Sequence, residues 1–371
     1  MVRMRLGQTR FALSAPDRYF RSALADEFAN RYQMQVAPVL TLNGVLTNPE
    51  HGTSVNQASV HGIDARFPEF WSGGGSAFAM PGEGEAVISA NLAGQLQLIP
   101  GDIIVVRIPE TGFAPSNAPF SRDRTDMKAF RLKVSRIALD NEGARFTLQN
   151  HQAAPFNIFL SLPFLGKQTG LDGSANVLLV AGKDTKLTED TLISRLRKSW
   201  KPEDAGLIWQ ETGQPFSLLA SERIFIDDTL GRLIRRLMPT SQGVLTYFVN
   251  AVSSGTGETP YSFITAVAPG IMPVDPLPGQ MVITEWMAED LKVVQGDSLR
   301  LRFWVMGLNR TLEEAEAFFM VQDIVKTNIA GQFASLMPGF PGMRESGSCR
   351  DWETGAPVDL SKIREKYGES W

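Results

Sequence analysis

A stretch of 25 residues occurs twice in this chain, and this internal repeat constrains the fold more than any other feature of the sequence. Residues 84–108 align without a gap with residues 279–303, at a constant offset of 195. Eight aligned pairs are identical: Gly84/Gly279, Val87/Val282, Ile88/Ile283, Ala93/Ala288, Leu96/Leu291, Gly101/Gly296, Asp102/Asp297 and Arg107/Arg302. Self-similarity at a fixed offset predicts one supersecondary unit built twice.

The repeated stretch has the pattern of a strand, a helix, a turn and a second strand. A short apolar strand runs into Ser89 in one copy and Thr284 in the other, and the hydroxyl of either residue can cap a helix. Apolar residues then recur at helical spacing, namely Leu92, Ala93 and Leu96, and Met287, Ala288 and Leu291. Gly-Asp pairs are typical of turns, so we interpret four residues as structural turns: Gly101, Asp102, Gly296 and Asp297.

An amphipathic helix is predicted before the strands of each copy. In the first copy Ser14 and Pro16 would start the helix, and one face carries Phe20, Ala23, Leu24 and Phe28. In the second copy Asp227 or Asp228 would start it, and one face carries Leu230, Leu233, Ile234 and Leu237. The arginines of the second helix, Arg232, Arg235 and Arg236, are interpreted as its solvated side.

The order helix, strand, strand, strand, helix, strand, strand is therefore predicted at 11–139 and again at 224–326. Residues 140–223 are interpreted as a bridging α/β region, and residues 327–371 as a carboxy-terminal linker or tail. The predicted fold class is α+β, an internally duplicated core with mixed and antiparallel sheets.

The charge of the chain argues against nucleic-acid binding, and its hydropathy argues against a membrane span or a signal peptide. The chain has 36 Lys and Arg against 40 Asp and Glu, a net charge of −4 without long runs of one sign, so no nucleic-acid partner is expected. No stretch approaches the about 20 apolar residues that span a bilayer, and the first residues lack the apolar core of a signal peptide. We expect this sequence to be a soluble piece of a longer protein.

Motifs for catalysis, cofactors and metals are missing from the sequence. The three histidines, His51, His61 and His151, lack metal-ligand spacing, and the single cysteine, Cys349, cannot complete a zinc site. A reactive thiolate beside Arg350 is the alternative, but a lone cysteine is more commonly a small buried residue. Asp102 and Asp297 suggest paired carboxylates, but the turn interpretation explains both. We therefore predict no catalytic, cofactor-binding or metal-binding residue, and no enzymatic activity.

Two insertions in the first copy, at 68–82 and 109–124, combine Gly and Pro with aromatic residues. Such loops are candidate contact surfaces for a partner, through Phe70, Trp71, Phe78, Phe113 and Phe120. The alternative, of equal weight, is that these side chains fold back over the core.

Several motifs occur in the order and spacing of a known family. The core motif consists of Gly84, Val87, Ile88, Ser89, Ala93, Leu96, Gly101, Asp102 and Ile104, and it resembles the periplasmic core domain of MacB-like permeases. Val60–Phe67 resembles the strand of that family that ends in Gly-Ile-Asp before an aromatic residue. In a large-loop branch of FtsX-like permeases, the start of the extracytoplasmic loop, after the first membrane helix, resembles Arg5–Leu13. The end of that loop resembles Ser348–Trp352 followed by Pro357–Leu360.

The resemblance implies an extracytoplasmic domain between the first two transmembrane helices of an ABC transporter permease, on the periplasmic face of the bacterial inner membrane. Its implied partners are its own transmembrane helices, a cytoplasmic ATPase subunit and a periplasmic adaptor or carrier protein, in a dimeric transporter. The implied role is mechanical coupling, and the family supplies no catalytic residues. From the residues alone, a free-standing tandem-repeat binding or scaffold protein is the alternative.

Overall fold

The structure is a computed structural model. It describes residues 2–15, 18–71, 79–109, 127–149, 153–182, 187–212, 216–221, 225–255, 257–272, 274–307, 312–326, 328 and 336. These residues form two compact units, with those up to Leu207 in unit 1 and those from Ile208 onward in unit 2. Within these ranges, no helix has both the length and the apolar character needed to cross a membrane.

Unit 1 contains most of the regular structure. Its elements are α1 (Val2–Leu6), β1 (Thr9–Ser14), β2 (Phe20–Arg21), α2 (Leu24–Tyr32), β3 (Val36–Asn48), β4 (Thr53–Ile63), β5 (Glu85–Ser89), α3 (Ala90–Leu96), β6 (Ile103–Pro109), β7 (Met127–Ala138), β8 (Asn157–Ser161), α4 (Leu162–Thr169), β9 (Ser174–Ala175), β10 (Val177–Ala181) and α5 (Glu189–Ser199). Short 3₁₀ helices occur at Pro68–Trp71, Asp140–Glu142 and Pro202–Ala205.

Unit 2 repeats the central part of this order. Its elements are β11 (Leu207–Glu211), which begins at the boundary, β12 (Ser217–Ser221), α6 (Asp228–Leu237), β13 (Val244–Ser253), β14 (Glu258–Val267), β15 (Gln280–Thr284), α7 (Glu285–Leu291), β16 (Ser298–Met306) and β17 (Leu312–Val325). From α2 to β7, and again from α6 to β17, the order is helix, three strands, helix, two strands. The predicted α+β class with mixed and antiparallel sheets is confirmed.

The five strands common to the two units are paired in the same order. Unit 1 contains β4-β3-β6-β7-β5, and unit 2 contains β14-β13-β16-β17-β15. In each unit the strand before the core helix runs parallel to the last strand, with a register shift after Ala86 in β5 and after Met281 in β15. The remaining neighbours in both sets are antiparallel. The duplication itself stays a prediction, because a shared geometry does not establish a common origin.

The two units differ in how the sheet ends. In unit 1, β8 pairs parallel with β4 and antiparallel with β5, and the pairing of β3 with β6 completes a ring of six strands. The part of unit 2 that the structure describes contains no strand equivalent to β8. Its sheet therefore has two edges, β14 and β15.

The start of the first predicted helix is wrong. Ser14 is the last residue of β1, which pairs antiparallel with β10, Phe20 belongs to β2, and the helix begins only at Leu24. The side chains of β1 alternate between half-buried and exposed, which is a strand pattern. The pairing with β10, more than 160 residues farther along the chain, is a long-range contact that Ser14 and Pro16 do not reveal.

The predicted bridging region is divided between the units. Its residues up to Leu207 belong to unit 1, because β8 and β10 enter the sheet of that unit. Both strands are almost completely buried, as expected for apolar strands with neighbours on both sides. Residues 208–223 are part of unit 2 as far as they are described.

Candidate functional site

The predicted contact residues Phe70 and Trp71 lie in the 3₁₀ helix that follows β4. Phe70 is fully buried. Its side chain therefore folds back over the core, which was the alternative to a contact surface. Trp71 is half-buried. The other predicted contact residues, Phe78, Phe113 and Phe120, lie outside the described residues, as does Cys349.

Trp71 closes a cluster of aromatic side chains. Its ring centroid lies 4.8 Å from that of Phe67 and 6.0 Å from that of Phe146, with the Phe146 ring nearly perpendicular to it. Gly143 lies beneath the indole ring, and a Cβ atom there would be 2.9 Å from the ring. Gly143 also has a φ of +95°, so both its conformation and its close approach to Trp71 require glycine.

The amino-terminal segment is held against this cluster by two hydrogen bonds. The indole Nε1 of Trp71 donates to the carbonyl oxygen of Met4 over 3.2 Å, and the backbone N–H of Gln8 donates to the carbonyl oxygen of Phe70 over 2.8 Å. Between them, Gly7 has a φ of +56°, and a Cβ atom there would clash with the Phe70 carbonyl group. We call Met4, Gly7, Gln8, Phe70, Trp71 and Gly143 the amino-terminal anchor.

The chain leaves the anchor directly into the sheet. Strand β1 pairs antiparallel with β10 from Thr9↔Ala181 to Ser14↔Val177. The backbone N–H of Gly182 adds a bond to the Gln8 carbonyl oxygen over 3.3 Å. Strand β10 in turn pairs with β3, the strand that also pairs with β4 and β6. The anchor is thus connected to β3 through backbone hydrogen bonds, with a register shift between Thr9 and Phe11.

A buried histidine supports the cluster from inside. The Thr41 hydroxyl lies 3.1 Å from His61 Nδ1, and Asn157 Oδ1 lies 3.2 Å from His61 Nε2. Because Asn157 Oδ1 can only accept, we assign the proton to Nε2, and Nδ1 accepts from Thr41. Burial lowers the pKa of His61 to about 4, and the hydrogen bond with Asn157 opposes this only in part. The ring is therefore neutral at neutral pH and stacks on Phe159.

Asn157 joins this histidine to the loop that carries Gly143. Its amide nitrogen donates to the carbonyl oxygens of Ala144 over 2.9 Å and of Phe146 over 2.8 Å. The backbone N–H of Asn157 donates to the Ser89 hydroxyl over 3.1 Å. Every polar atom of the Asn157 side chain is satisfied, as a buried amide requires. The network holds the loop beneath Trp71 in place.

The four predicted turn residues have the same geometry in both units. Gly101 and Gly296 have φ values of +108° and +95°, and their N–H groups donate to Val134 and Val321 in the neighbouring strand. The Asp102 carboxylate accepts from the backbone N–H of Ile99, and the Asp297 carboxylate from that of Val294, each over 2.8 Å. Each carboxylate thus bonds within its own turn.

Among the described residues, no group of three or more His, Cys, Asp or Glu side chains could hold a metal ion. The described contacts of the anchor are aromatic packing, close glycine contacts and backbone hydrogen bonds.

Sequence reasoning missed Gly143, His61 and Asn157 as parts of this site. Gly143 follows Asn141-Glu142, which is a recognisable turn signal. Residues 60–63 of β4 are buried on both faces of the strand, so no alternation in the sequence marks His61 as part of the site. No local pattern pairs His61 with Asn157, because 96 residues separate them in sequence.

Comparisons with known proteins add only distant similarities. No protein-family model matches the chain, and no curated protein matches it. The periplasmic region of MacB from Actinobacillus actinomycetemcomitans is similar with a TM-score of 0.35 and 10% identity, over 65% of this chain and 97% of that one. The extracellular domain of the noncanonic ABC-type transporter YknZ from Gram-positive bacteria has a TM-score of 0.30 and 12% identity, over 49% and 80%. Similarities this low carry no conclusion about function.

Proposed function

We propose that the chain is the extracytoplasmic domain of an ABC transporter permease, where it couples the cycle of a cytoplasmic ATPase to a substrate or partner protein outside. The amino-terminal anchor is the observation that carries the proposal. The resemblance puts Arg5–Leu13 directly after the first transmembrane helix of such a permease. A segment in that position must transmit motion, and here it is clamped to the sheet of unit 1.

The proposed mechanism follows the backbone hydrogen bonds. A displacement of a membrane helix would reach Met4 first, and the bond from Trp71 would pass it to the aromatic cluster. The rest of the displacement would be transmitted along β1, whose backbone pairing with β10 distributes the force over five residue pairs. From β10 it would reach β3 and, through the closed ring, the rest of unit 1. Tightly packed elements transmit strain because interiors have low compressibility.

The proposed partners are the permease's own transmembrane helices, the ATPase subunit and a periplasmic adaptor or carrier protein, in a dimeric transporter. We propose no catalytic role for the chain. Contact with an outer partner through Trp71 and the two aromatic loops, including Phe78, Phe113 and Phe120, remains part of the proposal.

A first experiment reads the coding sequence on both sides of this chain in its source genome. We expect apolar segments of about 20 residues on each side, with an ATPase gene nearby. An open reading frame that starts at Met1 and stops after Trp371, without such segments, would contradict the proposal. It would favour the free-standing binding protein.

A second experiment tests the anchor in the complete permease with its ATPase, reconstituted in vesicles. In Gly7→Ala the added methyl group meets the Phe70 carbonyl group, so the amino-terminal segment should detach and substrate-stimulated ATPase activity should fall several-fold. Gly52→Ala is the matched control, because Gly52 has a similar φ of +65° but open space around it. Both variants bear the same backbone strain of about 1 kcal/mol.

Hydrogen exchange of residues 4–14 shows whether the segment has detached. If Gly7→Ala frees the segment and stimulation is still equal to that of Gly52→Ala, the anchor does not couple the ATPase. A loss of stimulation in both variants would point to strain alone and would equally contradict the role of the anchor.

A further inference from the structure

Helix α6 presents an apolar stripe that is at most partly covered by the described residues of its unit. None of its ten residues is buried. Leu233 is 47% exposed and Leu237 71% exposed, and Met238, which follows the helix, is 40% exposed. Together with the half-buried Leu230 and Ile234, these side chains form one stripe at helical spacing.

The equivalent helix of unit 1 shows that this exposure is a difference in tertiary packing. Helix α2 occupies the same place in the element order, and its apolar residues Leu24, Ala25 and Phe28 are buried. They pack with Phe20, Val36 and Leu178 in a core of their own. The stripe on α6 is at least as apolar, yet none of its residues is buried.

The opposite side of α6 is cationic. Arg232, Arg235 and Arg236 are all exposed, and none forms an ion pair with another described residue. At 100° per residue their mean direction is opposite to the centre of the apolar stripe, although Arg236 lies only about 60° around the helix from Leu233. The acidic residues, Asp227 and Asp228, are confined to the start of the helix, where Asp227 caps it through the N–H of Leu230. The last two turns therefore carry positive charge only.

We propose that α6 binds an anionic lipid surface, with its leucines at the boundary of headgroups and acyl chains and its arginines on lipid phosphates. A short helix with an apolar stripe and a basic opposite face is typical of interfacial binding. Charge complementarity favours this occupant, because three guanidinium groups without an acidic partner among the described residues match a surface of phosphates. A second copy of the chain that covered the apolar stripe would instead leave the arginines, on the opposite side of the helix, outside the contact. The proposal does not depend on the proposed function.

The test is co-sedimentation of the whole chain with lipid vesicles. We expect binding to phosphatidylcholine vesicles that contain phosphatidylglycerol, and little binding to vesicles of phosphatidylcholine alone. Raising the salt from low to physiological concentration should weaken binding, because the Debye length falls to about 8 Å.

Two double variants separate the contributions of the apolar stripe and of the arginines to vesicle binding. Leu233→Gln with Leu237→Gln, and Arg235→Gln with Arg236→Gln, should each lower the bound fraction at least about fivefold. Matched controls are Ile193→Gln, an apolar residue of α5 that is 40% exposed, and Arg131→Gln with Lys133→Gln, which are exposed on β7. The controls should bind like the parent, and circular dichroism should show that all variants are folded.

Three results would overturn the proposal. The first is equal binding, or no binding, to the two kinds of vesicle. The second is parental binding by both α6 variants. The third is a parent that is dimeric in solution and becomes monomeric on replacement of the two leucines, which would identify a second copy as the occupant of the stripe.

Discussion

His61 shows how one buried residue makes the stability of unit 1 depend on pH. Burial lowers its pKa to about 4 in the folded chain, whereas an unfolded histidine titrates near about 6.5. As the pH falls from about 6.5 to about 4, the unfolded chain takes up a proton that the folded chain does not. The contribution of the neutral His61 to the unfolding free energy is therefore complete above pH about 6.5 and is lost as the pH falls toward about 4.

We expect His61→Gln to remove this pH dependence. Between pH about 6.5 and about 4, the parent should lose up to about 3 kcal/mol more unfolding free energy than the variant, at about 1.4 kcal/mol per pKa unit. Urea unfolding at several pH values, followed by near-UV circular dichroism, measures the difference. Equal pH slopes for the two proteins would show that His61 does not titrate as its burial requires.

At the scale of elements, the two core helices and the turns after them are built alike. Leu96 and Leu291 are fully buried at the ends of α3 and α7. Each helix ends in a residue in the left-handed conformation, Gln97 with a φ of +55° and Lys292 with +54°. The caps differ: the Thr284 hydroxyl accepts from the N–H of Met287, whereas the Ser89 hydroxyl accepts from Asn157 of β8. The strand that closes the ring thus occupies the Ser89 hydroxyl, and α3 has no side-chain cap.

Replacing the turn glycines tests the turn geometry in both units. Gly101→Ala and Gly296→Ala should each cost about 1 kcal/mol, because both residues have strongly positive φ while the space around them is open. Gly94→Ala is the control: Gly94 lies inside α3, also in open space, and alanine there should stabilise by about 0.5–1 kcal/mol. Thermal unfolding of the three variants gives the comparison. A stabilising effect at either turn would show that its backbone is not held as described.

At the scale of the whole molecule, the two units differ in closure and in core size. Unit 1 has a closed ring and three buried apolar clusters, whereas the described part of unit 2 has an open five-stranded sheet and a single cluster. Stability grows with the apolar area that a domain buries, and edge strands have unpaired backbone groups.

We therefore expect unit 2 to unfold before unit 1. Native-state hydrogen exchange should show faster exchange in β14 and β15 than in their equivalents β4 and β5, and urea should produce two transitions. A single transition with equal protection of the equivalent strands would contradict this expectation.

The α+β class and the order of the elements could be predicted because they depend on short-range patterns. The spacing of Leu92 and Leu96 indicates a helix face, and Gly101 indicates a turn, whatever packs against them. Phe70 could not be placed, because an aromatic residue in a Gly- and Pro-rich loop fits a contact surface and a folded-back core equally well. Its side chain packs in a buried cluster with Phe67, Val87 and Phe159, which come from different parts of the chain.

By itself, the sequence determined the α+β class and the two sets of helix, three strands, helix and two strands, because periodicity and turn residues act over a few positions. Only the tertiary structure decided that residues 9–14 form a strand, that β8 closes the first sheet, and that α2 is buried while α6 is exposed. Each of these depends on pairings between distant residues. Helices α2 and α6 have similar apolar patterns but pack against different neighbours. The apolar residues of α2 are therefore part of the core of unit 1, whereas those of α6 are not buried.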